Sequence, residues 1–564
     1  MPFSLLNDRA FPVVCRSGAR RWMALPEIAA AVDNPESDYA VEFGWPRPDL
    51  DMASFELCVG IVHLAFDIRD EDDWNALWSN PPDAAVVTQK LQPLLPAFTL
   101  DGSSDGDHPR FMQDLEPLEV GAKAADINPV EALFIDTPGQ NGQKKNADLL
   151  THRDRYAALG LPAAAIALYA LQAYAPSGGA GNRTSMRGGG PLSAIVIPVA
   201  QADGPPVSLW RKILANVCHA ERLKPADLPK ALPWLAPTLT SDKASGGRLV
   251  NPDKAGEAHP LQAFFGMPRR IRLVMAEAPG RCALTGEVGP LVTGFVQKPY
   301  GVNYGVWQHP LTPYRRQKEA SEPYSLKPKS GRFGYRDWIS VTVGREEGLL
   351  SEPAQTIRLA RRQRAHALAD GGADPRVRVG GWAMNNMEAI AYLFAEQPLH
   401  LASSASKQVA LDDMARRLAA AGDLAAAHLR SAIKLGLFGP ASAGTDQGVL
   451  ALAHATFYEE TEAEFHDLLQ DLLASADREP SADPALDLSR RWLSRMRRVA
   501  LDIFDRLAPV PLDDMERAAP LTAAYGRLRA MFEGRGKDGA ALFTELQMAV
   551  PAGAKKSRTK EDAT

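Results

Sequence analysis

Two kinds of hydrophobic pattern succeed one another along the chain. In the first part, short apolar runs are mixed with helical segments, and "FPVVCR" and "RRWMAL" predict a hairpin around Ser17 and Gly18. The longer runs "SFELCVGIVHLAFDI" and "LPAAAIALYALQAYA" predict helices, the second of which ends at Pro176. From about residue 395 onward, Ala, Leu and Arg recur at helical spacing instead.

The second kind of pattern consists of four amphipathic segments joined by loops, which is typical of a four-helix bundle. The segments are "SASKQVALDDMARRLAAAGDLAAAHLRSAIKLGLF", "ALAHATFYEETEAEFHDLLQDLLASA", "PALDLSRRWLSRMRRVALDIFDRLA" and "LDDMERAAPLTAAYGRLRAMFEG". We therefore predict an α+β protein with an irregular, mixed N-terminal domain over residues 1–392 and a C-terminal four-helix bundle over 393–550. The polar segment 551–564 is predicted to be a disordered tail.

Length and composition are those of an ordinary soluble protein with more than one domain. The 564 residues exceed what one hydrophobic core supports, and 45% are hydrophobic and 23% charged. There is no run of about 18 apolar residues, and the start lacks the basic and then apolar order of a secretory signal. We expect a cytoplasmic protein without membrane contact. The four cysteines lie far apart, without a C-x-x-C pair, and are interpreted as reduced thiols, mostly in the core.

The charge is distributed unevenly along the chain. Residues 1–150 carry 11 Lys and Arg against 25 Asp and Glu, whereas residues 151–400 carry 31 against 19. Residues 401–564, with 21 against 24, are nearly neutral. A basic centre fits a surface that binds a polyanion, because phosphate neutralisation supplies most nonspecific affinity for nucleic acid. Solvated faces that are simply basic are the alternative.

The basic centre contains the glycine-rich loop, residues 176–191, "PSGGAGNRTSMRGGGP". Glycines that expose backbone N–H groups beside guanidinium groups suit close contact with phosphate. The Gly-Lys-Ser/Thr that a nucleotide-binding P-loop needs does not follow, and Thr184 occupies the third glycine position of a dinucleotide fingerprint. The loop either reaches a polyanion or is a long turn.

Three other segments carry candidate cations. Residues 134–154 form a long loop whose Lys144 and Lys145 suit contact with an RNA or a partner subunit. Residues 240–345 interleave aromatic and basic side chains, which is typical of a nucleic-acid channel or of a β-rich domain with basic edges. The third helix of the predicted bundle has five arginines, which indicate either an anionic partner or an ion-paired face of the bundle.

The sequence has no arrangement that indicates catalysis. Its eleven histidines form neither H-E-x-x-H nor H-x-H, and no G-x-S-x-G is present, so we expect a binding protein without a metal or cofactor. An enzyme remains an alternative: a nuclease or phosphotransferase whose metal ligands are carboxylates of the acidic first 150 residues. A scaffold whose loop and bundle contact only protein is another.

An ordered set of motifs resembles CasA, the large subunit of the type I-E CRISPR surveillance complex, Cascade. The motifs are "LLNDRAFPVV", "FMQDLEP", "TPGQ", the glycine-rich loop, "TGFVQKPYGVNYGVWQHPLTPY", "GGWAMNNMEA" and the helical bundle. The resemblance implies a non-catalytic subunit that reads the protospacer-adjacent motif (PAM) in double-stranded DNA, starts strand separation and recruits the helicase-nuclease. Its implied partners are other Cascade subunits, the 5′ handle of the CRISPR RNA, target DNA and the helicase-nuclease.

The same resemblance implies roles for particular residues. The PAM-reading loop matches Ser177, Gly178, Gly179 and Ala180, with the assisting Lys298. Arg183 and Arg187 are DNA-binding candidates because their guanidinium groups lie in the same loop. A wedge that splits the duplex matches Asn385, Asn386 and Met387. A loop that docks on the complex and the guide handle matches Phe134, Pro138, Gly139, Gln140, Lys144 and Lys145. The bundle guides the displaced strand, with candidates Arg490, Arg491, Arg495, Arg497 and Arg498. Only Cys282 remains where some members have a cysteine cluster, so no zinc is expected.

Overall fold

The structure is a computed structural model and divides into two compact units. The first unit comprises Met1–Arg332 and Glu346–Leu399, and the second comprises Phe333–Arg345 and His400–Thr564. The described residues are 2–30, 34, 36–101, 108–139, 142, 144, 151, 154–179, 181–200, 204–252, 257–345, 350–369, 375–439, 447–475, 484–511 and 513–551.

Helices and strands alternate through the first unit, and the second unit is helical. The strands are β1 Phe11–Cys15, β2 Arg20–Met23, β3 Ala40–Phe43, β4 Ile127–Pro129, β5 Leu159–Gly160, β6 Ser193–Ile197, β7 Arg270–Met275, β8 Gly280–Arg281, β9 Val288–Gly289, β10 Leu291–Lys298, β11 Tyr314–Arg316, β12 Tyr324–Ser325, β13 Leu350–Glu352, β14 Arg376–Asn385 and β15 Glu388–Pro398. The helices are α1 Leu25–Ile28, α2 Pro48–Ala65, α3 Glu71–Ser79, α4 Ala84–Leu91, α5 Leu161–Tyr174, α6 Leu209–Ala215, α7 Leu228–Ala231, α8 Tyr335–Thr342, α9 Gln355–Arg362, α10 Ala365–Leu368, α11 Ala405–Phe438, α12 Gln447–Ser475, α13 Pro484–Leu507, α14 Met515–Phe532 and α15 Gly536–Glu545. The mixed fold predicted from the sequence is confirmed.

The first unit is built on several small antiparallel sheets. The predicted hairpin is confirmed, because β1 pairs with β2 and its burial alternates residue by residue. Strand β10 pairs with β4 and β5 on one side and with β7 on the other, so that Lys298 lies opposite Arg270. Strands β15, β14 and β6 form a further sheet, in that order.

The core of the first unit surrounds helices α2 and α5, which pack on each other. Both helices are apolar on nearly all sides, as the sequence predicts for segments buried all round. The four cysteines are buried and form no disulfide, which agrees with their interpretation as reduced core thiols. None of the helices in the described part of the chain has the length and apolar character that crossing a bilayer requires.

In the second unit, α12, α13 and α14 pack against the long helix α11. Ser404 caps the start of α11 by accepting a hydrogen bond from the Lys407 N–H, and Gly439 ends it at φ +73°. Helix α8 belongs to this unit because the Tyr335 ring stacks on Phe465, with ring centroids 4.5 Å apart. The boundary predicted at residue 392 instead falls inside strand β15, whose pairing with β14 keeps it in the first unit.

Candidate nucleic-acid interface

The glycine-rich loop begins with a tight turn. The Gly178 N–H donates to the Asn182 carbonyl at 3.3 Å, and the Asn182 N–H donates to the Gly179 carbonyl at 2.7 Å. Gly179 has φ +66°, and a Cβ on it would meet nothing within 4 Å, so the turn favours glycine for its backbone conformation rather than for lack of space. The Ser177 hydroxyl lies 3.5 Å from the Asn182 carbonyl, and Ala180 lies outside the described residues.

This turn rests on the chain that leaves strand β10. The Tyr300 N–H donates to the Gly181 carbonyl at 2.9 Å, and a Cβ on Gly181 would lie 2.8 Å from the Tyr300 ring. The Gln297 side-chain amide donates to Asn182 Oδ1 at 2.6 Å. Tyr300 has φ +64° and is partly exposed beside the loop, which is unusual for an aromatic residue and marks a constrained backbone.

Arg183 is directed toward the protein. Its Nε donates to Ser241 Oγ at 2.8 Å and its Nη2 donates to the Ser241 carbonyl at 2.7 Å. The guanidinium also lies 5.7 Å from the centroid of the Tyr300 ring. These contacts hold the side chain against Ser241, and they use two of its five N–H donors.

The assignment of Arg187 to the DNA-binding residues is corrected here, because the structure places its side chain in the core. Its side chain is 3% exposed, and its Nη1 and Nη2 donate to the two Glu56 carboxylate oxygens at 3.1 and 2.8 Å. Nη1 also lies within hydrogen-bond distance of the hydroxyls of Ser193 and Thr312. A guanidinium enclosed in this way does not reach a DNA phosphate, and its role is to neutralise a buried carboxylate.

Lys298 is an exposed cation beside the glycine-rich loop. It is the last residue of β10, next to the glutamine that holds the loop, and 52% of its side chain is exposed. Its Nζ lies 3.9 Å from Glu116 Oε2, and the same carboxylate contacts Arg270 Nη2 at 2.8 Å. The ammonium group is therefore available to an anion but is partly neutralised by an exposed glutamate.

The predicted wedge is the tip of the β14–β15 hairpin. Asn385 pairs with Glu388, which leaves Asn386 and Met387 as a two-residue turn, and Asn386 has φ +54°. Met387 is 56% exposed. The wedge assignment requires an exposed apolar side chain at the end of a hairpin, and Met387 meets this requirement.

The glycine-rich loop and this hairpin contact each other. A Cβ on Gly190 would lie 2.5 Å from the Trp382 carbonyl and 2.6 Å from Met384 Cγ, both on strand β14. A Cβ on Gly381 would in turn lie 2.6 Å from the Pro191 carbonyl. Only glycine permits this approach, because any side chain at these positions would clash. The contact brings together two elements that are about 200 residues apart in the sequence.

The loop assigned to the guide handle is described only in part. Phe134 requires a correction: it is 3% exposed and packs between the Arg47 guanidinium, 4.5 Å from its ring centroid, and the Tyr156 ring at 4.8 Å. It is a core residue and does not present its ring to a partner. Among the other candidates, Gly139 and Lys144 are exposed, Pro138 is half-buried, and Gln140 and Lys145 lie outside the described residues.

Most arginines of helix α13 contact neighbouring helices. Arg491 pairs with Asp471 at 2.6 Å and with Glu464 at 3.4 Å. Arg495 donates to the Glu460 carbonyl, and Arg497 lies 3.9 Å from Glu533. The contacts of Arg491 and Arg497 fit the ion-paired face that the sequence left open, whereas Arg495 binds a backbone carbonyl. Arg490 and Arg498 are exposed, and neither makes an ion pair with any residue in the described ranges.

Sequence reasoning missed two cations next to the loop. Lys327 Nζ donates to the Arg187 carbonyl at 3.1 Å, and burial, together with the Arg187 charge, lowers the pKa of Lys327 to about 7. Arg269 lies under Gly178 and is 7% exposed. The signal for Arg269 was present in "PRRIR", but nothing in that run separates its first arginine from its second. Within the described ranges, no cluster of three His, Cys, Asp or Glu side chains is arranged to hold a metal ion.

Comparison with known proteins identifies relatives over nearly the whole chain. The family model described as CRISPR-associated protein Cse1 matches residues 5–503. The fold is similar to that of Thermus thermophilus CasA (Cse1), with a TM-score of 0.64 and 16% identity over 94% of this chain and 100% of that one. Thermobifida fusca Cse1 gives a TM-score of 0.64 and 16% identity over 97% and 99%. A chain of a CRISPR RNA-guided surveillance complex gives a TM-score of 0.66 and 15% identity over 94% and 99%.

Proposed function

Because this chain belongs to the CRISPR-associated Cse1 family, we propose that it is the large subunit of an RNA-guided surveillance complex and reads the PAM of double-stranded target DNA. In this role it binds duplex DNA through the glycine-rich loop and Lys298, and starts strand separation with the hairpin tip. It carries out no chemistry itself and recruits the helicase-nuclease that degrades the target. Its other partners are the remaining subunits and the 5′ handle of the CRISPR RNA.

The observation that carries this proposal is the contact between the glycine-rich loop and the wedge hairpin. Gly190 and Gly381 let the two backbones approach to a distance that no side chain allows. A loop that grips DNA and a hairpin that opens it must act at adjacent base pairs, so a direct contact between them is what the function requires.

The chemistry of the loop suits the minor groove. Readout there separates mainly A·T from G·C pairs, which suits a site built from backbone groups and a lysine. The apolar Met387 suits insertion beneath the motif. Unstacking one base step costs a few kcal/mol, and contacts between an inserted side chain and the bases recover part of that free energy. Pairing with the guide then supplies the sequence specificity in a nearly balanced strand exchange.

The direct test is a gel-shift assay of guide-loaded complex, assembled with and without this chain, on matched targets that differ only in the flanking trinucleotide. We expect the chain to make affinity depend on that trinucleotide. An equal increase for every flank would instead indicate a scaffold subunit, and metal-dependent cleavage by the purified chain would indicate an enzyme.

A further inference from the structure

We propose that Arg269 strengthens the binding of DNA at the glycine-rich loop. Its unpaired positive charge lies directly under the turn that the proposed function places against the duplex. This inference rests on the proposed function and adds to it a source of charge that the loop's own arginines do not provide. Arg269 is separate from Lys298: it is buried and acts through the loop backbone.

The position of Arg269 is fixed at both ends of the residue. Its backbone N–H donates to Gln172 Oε1 at 3.0 Å, and its carbonyl accepts from Gln172 Nε2 at 2.9 Å. Its Nη2 donates to the Pro176 carbonyl, at the start of the glycine-rich loop. Its Nη1 lies 2.9 Å from where a Cβ on Gly178 would stand. The guanidinium is thus held against the inner side of the turn.

No carboxylate neutralises this guanidinium among the residues that the structure describes. The other buried arginines nearby are paired: Arg187 with Glu56 at 2.8 Å, Arg270 with Asp114 at 2.6 Å and Arg272 with Glu119 at 3.1 Å. Arg269 Nε is buried and has no hydrogen-bond partner. Burial of a charge without a partner is costly, so a fold that keeps one needs a reason outside its own stability.

The charge is present near neutral pH and lies against the turn. Burial lowers the pKa of Arg269 to about 10, so the group stays protonated near neutral pH. Gly178 has no side chain that would separate the guanidinium from the turn. Because the surroundings are poorly polarisable, the field of this charge is screened less than that of an exposed lysine. A phosphate group beside the turn would be attracted by it and by the backbone N–H groups together.

A purely structural role is the competing explanation, in which Arg269 only clamps the Pro176 carbonyl. Two substitutions separate the roles. Arg269→Gln keeps an amide donor but removes the charge, and Arg269→Lys keeps the charge but removes the planar fork. Arg211→Gln is the matched control, because the Arg211 guanidinium donates to a backbone carbonyl, that of Trp78, on a helix outside the loop.

The measurement is the affinity of guide-loaded complex, containing each full-length variant, for a duplex with the preferred flanking trinucleotide over a series of salt concentrations. We expect Arg269→Gln to weaken binding about tenfold and to reduce the salt slope by about one unit, with Arg269→Lys and Arg211→Gln within about threefold of the original. Unchanged affinity of Arg269→Gln would overturn the inference, as would equal losses for Gln and Lys, which would indicate a clamp.

Thermal unfolding of the full chain gives a second readout. Removal of an unpaired buried charge should leave the melting temperature of Arg269→Gln and Arg269→Met unchanged or higher, whereas loss of a clamp would lower it. Binding by the unsubstituted chain shows whether the proposed function or only the inference about Arg269 fails. If it shows no dependence on the trinucleotide, the proposed function fails. If it does, and Arg269→Gln binds equally well, only this inference fails.

Discussion

The glycine-rich loop and helix α13 both carry arginines that suggest contact with nucleic acid, and both direct most of them toward the protein. In the loop, Arg187 is enclosed with Glu56, which is 131 positions away in the sequence. On α13, Arg491 pairs at the surface with residues of the preceding helix α12. The number of arginines in a segment therefore does not measure the charge that the segment offers to a ligand.

The two regions also differ in where their available charge comes from. On α13 it comes from the helix itself, at the solvent-facing positions Arg490 and Arg498. At the loop the cations belong to other segments: the buried Arg269 precedes β7, and the exposed Lys298 ends β10. A helix presents its own side chains by periodicity, whereas a loop made of glycine takes its charge from whatever the fold places beneath it.

The largest expected effect is on stability, from Arg187→Met. This substitution leaves Glu56 buried without a partner, and the free energy of unfolding should fall by about 3–5 kcal/mol. Chemical denaturation of the purified chain measures it, and Arg187→Met combined with Glu56→Gln should recover part of the loss. A decrease below about 1 kcal/mol would contradict this prediction, because it would mean that the buried pair contributes no more to stability than an exposed one.

A smaller effect is expected at the hairpin tip, from Met387→Ala. Duplex binding should be unchanged, but strand opening should slow by about tenfold, because a side chain that replaces stacking has been lost. Fluorescence of a base analogue next to the PAM measures opening. Val288→Ala is the matched control, since Val288 is also an exposed apolar residue of the first unit, at 72%. If opening is unaffected while binding is lost, the wedge assignment is wrong.

On α13, the exposed Arg490 and Arg498 differ from Arg491, which is ion-paired, and this difference predicts a third, smaller effect on DNA binding. Arg490→Gln together with Arg498→Gln should lower the salt slope of displaced-strand binding by about 1.4, at about 0.7 for each phosphate contact. Arg491→Gln should leave that slope unchanged and lower stability by less than about 1 kcal/mol, because it removes an exposed ion pair. Equal slopes for all variants would indicate that α13 does not contact DNA.

The smallest effect is expected from Glu116→Gln, at the carboxylate that lies beside Lys298. Removal of this negative charge frees the lysine, so affinity for the target duplex should rise by about two- to threefold. Binding assays at low salt measure the change most clearly. Lys298→Glu should move affinity in the opposite direction, and a decrease with Glu116→Gln would show that Lys298 needs the glutamate to hold its position.

The hydrophobic pattern by itself determined the helices and strands that local periodicity specifies. The hairpin of β1 and β2, the apolar helices α2 and α5 and the long helices of the second unit follow from local periodicity. Ordered motifs also sufficed to indicate the family. Each of these signals lies within a short stretch of chain, where spacing and residue type fix the outcome.

Only the tertiary structure decided which candidate side chains are available. It enclosed Arg187 and Phe134 and placed the unpaired Arg269 under Gly178, and it brought the loop against the hairpin through Gly190. Helix α8 likewise joined the second unit through the packing of Tyr335. The physical reason is that burial and charge pairing depend on neighbours far away in sequence, and a sequence pattern specifies a residue's own face but not what the fold places opposite it.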